Sequence, residues 1–281
     1  MPNAMNRATT QSADRRAVAA NGHLAVCGAT NVGVRRADNQ DAFVIADLRS
    51  GDLSNPCSRT EIPLSRQGIL LLVCDGMGGA AAGDLAARIA ADTVKQQLVG
   101  AGQRVVEHPN ESLKSAVCGA NGAVLAEAEA RPGARGMGTT CTAAIVLPDR
   151  ISVAQVGDSR AYLLRDGRLQ RMTRDQTMAD QLVELGALRP EQVGTYPYRH
   201  VLVQAVGTQS IIEPVTSEAR LHRGDRILLC SDGLHGPVPD HEIARILGAP
   251  ADINRVTHEL IQAALAAGGP DNVTVVVADC E

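Results

Sequence analysis

The sequence predicts an α+β fold in which antiparallel sheets carry helices on their outer faces. Two observations lead there: strand-like runs cluster in hairpins, and helical runs come in pairs, without a regular β-α-β-α alternation. No linker rich in Gly, Ser or Pro divides the chain, so residues 22–281 read as one domain.

The elements follow in order. Residues 1–21 are polar, lack an apolar stretch of signal-peptide type and read as a disordered tail. Residues 24–47 give two short strands around NVGVRRADNQD, and the next segment, LRSGDLSNPCSRTEIPLSRQG, reads as a loop punctuated by Gly and Pro. ILLLVCDG is a buried strand by its unbroken aliphatic run, and AAGDLAARIAADTVKQQL follows with helical spacing. Residues 111–130 give a second helix. TTCTAAIVLPDRISVAQVGDSRAYLLRDGRLQRMT gives three strands, with hairpin turns at Pro148-Asp149 and Asp166-Gly167. Residues 178–206 are mixed, a short helix around MADQLVELGA and then a loop. DRILLCSDG is another buried strand, DHEIARILG and DINRVTHELIQAALAAG are helices, and NVTVVVAD closes the chain as a strand.

Composition limits the function classes. Hydrophobic residues make up 44% and charged residues 21% of 281, ordinary for a soluble globular protein. A net charge of -4 leaves no basic footprint for nucleic acid. Phe43, Tyr162, Tyr196 and Tyr198 are the only aromatic residues, so the core is aliphatic and alanine-rich and base-stacking platforms are absent. No segment approaches the roughly 20 apolar residues that span a bilayer. The seven cysteines form no C-x-x-C pair and start no Cys-x5-Arg loop. Those absences argue against a zinc site, a disulfide framework and thiol-based phosphate chemistry, and most of the seven read as small buried apolar groups in a reducing cytosol.

The acids carry the chemical signal. ILLLVCDG and RILLCSDG each run out into Asp-Gly, at Asp75 and Asp232. VAQVGDSR ends at Asp158, while Asp41 and Asp271 stand just before strands. In antiparallel sheets the start of one strand lies beside the end of its neighbour, so all five can share one rim. Carboxylates so crowded repel unless cations compensate them. With no nearby His or Cys pattern the donors are all oxygen, which selects Mg²⁺ or Mn²⁺. Each Asp-Gly taken singly reads as a turn; five such sites in one chain are harder to dismiss, yet spacing alone leaves both readings open. A dinucleotide loop in DGMGGAAAG is disfavoured, because the pattern misses G-x-G-x-x-G and no second βαβ unit follows.

RADNQD (36–41), CDGMGG (74–79), GMGTTCTAAIV (136–146), VGDSRAYLLRDGRLQRMTRDQT (156–177), GDRILLCSDGL (224–234) and GGPDNVTVVV (268–277) occur in that order. Together they resemble the metal-dependent protein serine/threonine phosphatases, the protein phosphatase 2C family, in its bacterial stand-alone branch. The resemblance covers residues 22–281, with 178–206 similar to the mobile flap segment of that branch. It implies a four-layer αββα sandwich, two antiparallel sheets flanked by helix pairs. It also implies Asp75 as the acid bridging two Mn²⁺ or Mg²⁺ ions, with the Gly76 carbonyl on the second. By the same resemblance Asp232 and Asp271 complete the coordination of the first metal, Asp41 holds metal-bound waters, and Asp158 is the ligand of a third metal. Arg36 grips the substrate phosphate through its planar fork, and Asn272 supports Asp271 and the phosphate region. The implied reaction is direct hydrolysis of phosphoserine or phosphothreonine on proteins by a metal-bridging hydroxide. The implied setting is cytoplasmic and monomeric, opposite a Ser/Thr kinase, without membrane or nucleic acid.

Three departures stand out. Gln40 occupies the position where many relatives carry Glu in R-x-x-N-E-D, and Gln176 replaces a common His in TRDQT. Met77 stands where eukaryotic members place a His proposed as general acid, which leaves the proton donor open, a metal-bound water being the economical choice. His235, three residues after Asp232, reads as an ordinary loop residue. Two rival readings remain: a pseudophosphatase that binds phosphoproteins, supported only by Gln40, and a nucleotide-binding protein.

Overall fold

Apolar residues of the strand ILLLVCDGM point alternately to two destinations, as a period of two requires. Ile69, Leu71 and Val73 enter one buried cluster, and Leu70, Leu72 and Cys74 enter another. A strand buried on both faces needs a layer on each side. The computed structural model, which describes residues 22–54, 57–78 and 80–281, supplies both. The tail expected at 1–21 lies outside the described residues.

The elements run β1 (His23–Asn31), β2 (Asp41–Asp47), β3 (Leu53–Ser54), β4 (Thr60–Pro63), β5 (Ile69–Met77), α1 (Ala80–Ala101), α2 (Gln103–Glu107) and α3 (Pro109–Ala130). Then come β6 (Gly138–Thr139), β7 (Cys141–Val146), β8 (Arg150–Val156), β9 (Arg160–Arg165), β10 (Arg168–Arg171), α4 (Met178–Glu184) and a 3₁₀ turn (Pro190–Thr195). The chain closes with β11 (Val215–Arg220), β12 (Arg226–Cys230), α5 (Asp232–His235), α6 (Asp240–Leu247), α7 (Ile253–Ala266) and β13 (Val273–Cys280). One sheet has the order β10-β9-β12-β13-β1-β4. The other has the order β11-β8-β7-β5-β2-β3, with β6 added to the end of β5. All strand pairs are antiparallel.

The sheets face each other across Leu24, Val26, Ile45, Leu71, Val153, Leu229 and Val276. Helices α1 and α3 cover the outer face of the second sheet through Ala86, Ala87, Ala90, Ala116 and Ala120, whose small side chains allow close approach. Helices α5, α6 and α7 cover the other sheet through Leu234, Ile243, Val256 and Leu260. The result is the αββα sandwich.

Two expectations need correction. The segment read as one loop contains β3 and β4, and β4 pairs with β1 from His23↔Pro63 to Val26↔Thr60. The stretch read as three strands holds four, because β10 (RLQR) follows the Asp166-Gly167 turn and pairs with β9. The polar strand β11 (VTSEAR) was also not anticipated. β10 and β11 are edge strands with little apolar alternation, which is how sheet edges avoid further pairing and also how they escape recognition.

Candidate metal centre

The register of β2 against β5 places Asp41 directly opposite Asp75. In the other sheet, β12 ends just before Asp232 and β13 begins just after Asp271, and these strands are also neighbours. The two sheets therefore bring four acids to one end of the sandwich. Asp158 joins them from the turn between β8 and β9. Asp75, Asp158, Asp232 and Asp271 line one cavity of about 630 Å³ together with Arg36 and Gly76. Asp41 is buried and does not line that cavity.

Both Asp-Gly dipeptides are dictated by close backbone approach. A Cβ on Gly76 would run into the Gly83 carbonyl at the start of α1, and one on Gly233 would run into the Asn272 carbonyl. The glycine after each acid is thus what lets another segment pack against the site. The Asp75 backbone is held by Thr140, whose Oγ1 accepts its N–H at 2.9 Å, and by Thr139, whose Oγ1 donates to its carbonyl at 2.9 Å.

The electrostatics are those of a site built for positive charge. Burial pushes the carboxyls of Asp41, Asp75 and Asp158 up, and neighbouring carboxylates push them further, Asp41 reaching about 7. Asp232 is raised by burial and then by Asp271, with partial relief from Asp75, His200 and Arg36. Asp41 Oδ2 accepts a hydrogen bond from Ser231 Oγ at 2.8 Å, but Asp41 Oδ1 and Asp232 Oδ1 are buried with no partner. Such oxygens are costly to bury unless something else binds them. Among the described residues no three His, Cys, Asp or Glu side chains close on a single point; the acids stand around the cavity. The orphaned oxygens and the all-oxygen donor set fit hard divalent cations.

Around the acids the supporting residues are specific. Arg36 Nη2 donates to Asp271 Oδ2 at 2.6 Å, and the Arg36 side chain is 52% exposed at the cavity wall. Asn272 was expected to support both Asp271 and the phosphate region. Its backbone N–H donates to Asp271 Oδ1 at 2.8 Å, but its amide is spent on the loop that carries Arg36. Nδ2 donates to the Val32 and Asp38 carbonyls at 2.9 Å, and Oδ1 accepts from the Gln40 N–H at 2.9 Å. Gln176 Oε1 accepts the N–H of Gly157 at 2.7 Å and so fixes the Asp158 turn. His235 lies on the single turn of α5 and donates from Nε2 to the Asp158 carbonyl at 3.1 Å, which ties it to the site rather than to an ordinary loop. Sequence reasoning missed Ser231, Thr139, Thr140 and His200. The first three are hydroxyls adjacent to the acids or to the strand partner of Asp75, a signal present in SDG and GTT; His200 carries no local signal.

A family model described as protein phosphatase 2C matches residues 59–267. The chain belongs to the protein phosphatase 2C family. The serine/threonine protein phosphatase PstP of Mycobacterium tuberculosis is 42% identical over 212 residues, 75% of this chain and 40% of that protein. This chain therefore matches less than half the length of that relative. The serine/threonine phosphatase stp of Listeria welshimeri is 32% identical over 214 residues, 75% of this chain and 84% of that protein. A crystal structure of the PstP catalytic domain in complex with two manganese ions is similar at a TM-score of 0.73 and 34% identity, covering 92% of this chain and 99% of that one. Among the described residues, no helix of this protein phosphatase 2C member is long and apolar enough to cross a membrane.

Proposed function

We propose that the chain is a metal-dependent phosphoserine/phosphothreonine protein phosphatase. The observation that carries this reading is the cavity where four acids meet Arg36, with buried carboxylate oxygens that lack any partner. Asp75, Asp232, Asp271 and the Gly76 carbonyl hold two Mn²⁺ or Mg²⁺ ions, Asp41 orients water behind them, and Asp158 serves a third. When bound, such ions supply Lewis acidity and offset the charge of the phosphate. Arg36 presents its guanidinium to the phosphate oxygens while Asp271 fixes its orientation. Asn272 keeps the Arg36 loop in place. We place the protein in the cytoplasm as a monomer that reverses the work of a Ser/Thr kinase; its seven cysteines are all free, which suits a reducing compartment.

The test is hydrolysis of p-nitrophenyl phosphate and of a phosphothreonine peptide with Mn²⁺, with Mg²⁺ and with EDTA. Turnover of the peptide restored by either ion is expected. Folded protein that turns over neither substrate with either ion would sink the reading and favour a phosphoprotein-binding module.

A further inference from the structure

Serine and threonine leave a phosphate ester as alkoxides unless a proton reaches the departing oxygen, so the reaction proposed above needs a donor. The cavity offers few. Arg36 stays charged at any working pH and gives up no proton. Met77, 36% exposed at the rim, has none to give. The carboxyls are the expected cation holders, or, in exposed Asp38, a group that accepts rather than donates when ionised. One imidazole lines the cavity, His200.

All seven histidines lie among the described residues, and the other six do not line this cavity. His235 is the nearest rival by sequence, but it donates to the Asp158 carbonyl at 3.1 Å and burial pushes its titration down to about 4. His200 is exposed at the cavity wall, close enough for its charge to stabilise the Asp232 carboxylate.

Its position is fixed by the flap. The Val201 carbonyl accepts the Met178 N–H at 2.8 Å, Leu202 bridges Thr177, and the Val203 N–H donates to the Gln176 carbonyl at 2.8 Å. On the other side of His200, the Tyr198 carbonyl accepts the Val201 N–H at 3.1 Å. His200 thus sits in a hydrogen-bonded turn next to two clamped segments, 176–178 and 201–203. The clamp continues into the site, because Gln176 also holds Gly157 beside Asp158.

We infer that His200 is the proton donor to the leaving oxygen of the phosphoserine or phosphothreonine substrate. This rests on the phosphatase reading and extends it. A water oxygen bonds to phosphorus and releases one proton to solvent. The ester P–O bond breaks, and its electron pair stays on the alcohol oxygen. Protonated His200 gives that oxygen a proton, which yields the free hydroxyl and inorganic phosphate, and the exposed neutral imidazole then regains a proton from water. The flap brings this donor to the cavity wall, a role that Met77 at the core site leaves open.

The experiment compares wild type with His200→Gln and His200→Ala on two substrates at saturating Mn²⁺. A phosphothreonine peptide has an alkoxide leaving group that needs the proton; p-nitrophenyl phosphate has one that does not. The peptide kcat is expected to fall about 100-fold, the low end for loss of a general acid, and the p-nitrophenyl phosphate kcat less than about fivefold. Melting temperatures of the variants are expected to match wild type, as befits an exposed residue. Parallel losses on the two substrates, or no loss on the peptide, would overturn the inference. A wild type that hydrolyses neither substrate with metal would instead overturn the phosphatase reading.

Discussion

Two acids, the buried Asp175 and the half-buried Asp75, behave in opposite ways. Asp175, 8% exposed, is gripped by Arg160, whose Nε donates at 3.0 Å and whose Nη2 donates at 2.5 Å. Arg160 also donates to Tyr162 Oη at 2.9 Å, which donates to Asp240 at 2.9 Å, so the network is closed. Burial pushes the Asp175 carboxyl up, yet the Arg160 hydrogen bonds and charge win, and the net shift is downward. Asp75 makes no ion pair among the described residues and has four acids near it, and although the Arg36 charge reaches it from the cavity wall, its net shift is strongly upward. The polypeptide satisfies the first acid itself and leaves the second for something it does not encode. A structural charge comes with its partner; a functional one is recognised by the partner it lacks.

The largest expected effect breaks that comparison at the Asp75 side. Asp75→Asn and Asp232→Asn should each lower metal-dependent kcat by at least about a thousandfold, because several kcal/mol of charge stabilisation are at stake and about 1.4 kcal/mol is tenfold. In EDTA, thermal melts should show both variants at least as stable as wild type, since each removes a repelled buried charge. Asp175→Asn should do the reverse. It strands Arg160 and should cost about 3 kcal/mol in denaturant unfolding, while the protein that remains folded keeps its metal dependence. Near-normal kcat in either variant at the metal centre would refute the ligand assignment.

The same contrast explains what was legible in the sequence. ILLLVCDG and RILLCSDG revealed two central strands and two acids at once, because a doubly buried strand is aliphatic throughout and an acid at its end stands out against the run. The helix pairs were legible from their spacing. Edge strands β4, β10 and β11 were not, since a strand with one solvated face and charged residues reads like a loop. The acids were found but their supports were not. Asn272 holds the Val32–Asp38 turn, and Gln176 holds Gly157, across long sequence separations that no local pattern announces. His200 belongs to the same class, placed at the cavity by pairing at the root of the flap.

A pH titration of stability sharpens the comparison with a smaller effect. Without metal, Asp41, Asp75, Asp158 and Asp232 have folded values raised above an ordinary carboxylate. The folded state then binds protons more tightly than the unfolded state. Their contribution to stability is fully present below about pH 4, the unfolded range, and is lost as pH rises through the folded values, Asp41 near 7. Asp175 has the opposite sign: its contribution is present above about pH 4 and is lost as pH falls through its lowered folded value. In EDTA, the wild-type melting temperature should therefore decline between about pH 5 and pH 8, and Asp75→Asn should decline less. Saturating Mn²⁺ should flatten the wild-type slope. Equal slopes for both proteins in EDTA would mean that these acids do not share one field.

The smallest effect concerns Gln40, the position at which the resemblance places Glu. Gln40 lines the cavity next to Asp41, and its carbonyl accepts the Gly76 N–H at 3.2 Å. Its amide packs against Gly83, in the same tight contact that excludes a side chain from Gly76. Gln40→Glu keeps the shape and adds one negative charge to a rim already rich in them. Two opposite changes should follow from that single charge. Without metal the variant should melt below wild type, because one more carboxylate is repelled. With metal it should bind Mn²⁺ about three- to tenfold more tightly, the gain expected from one unit charge several Å from a cation at a partly screened rim. Melting temperature measured across a Mn²⁺ titration reads both from one series. The curves of wild type and variant should cross as Mn²⁺ rises; parallel curves would place the residue 40 side chain outside the reach of the ion and leave the four acids around the cavity, with Asp41 behind them, to hold the charge alone.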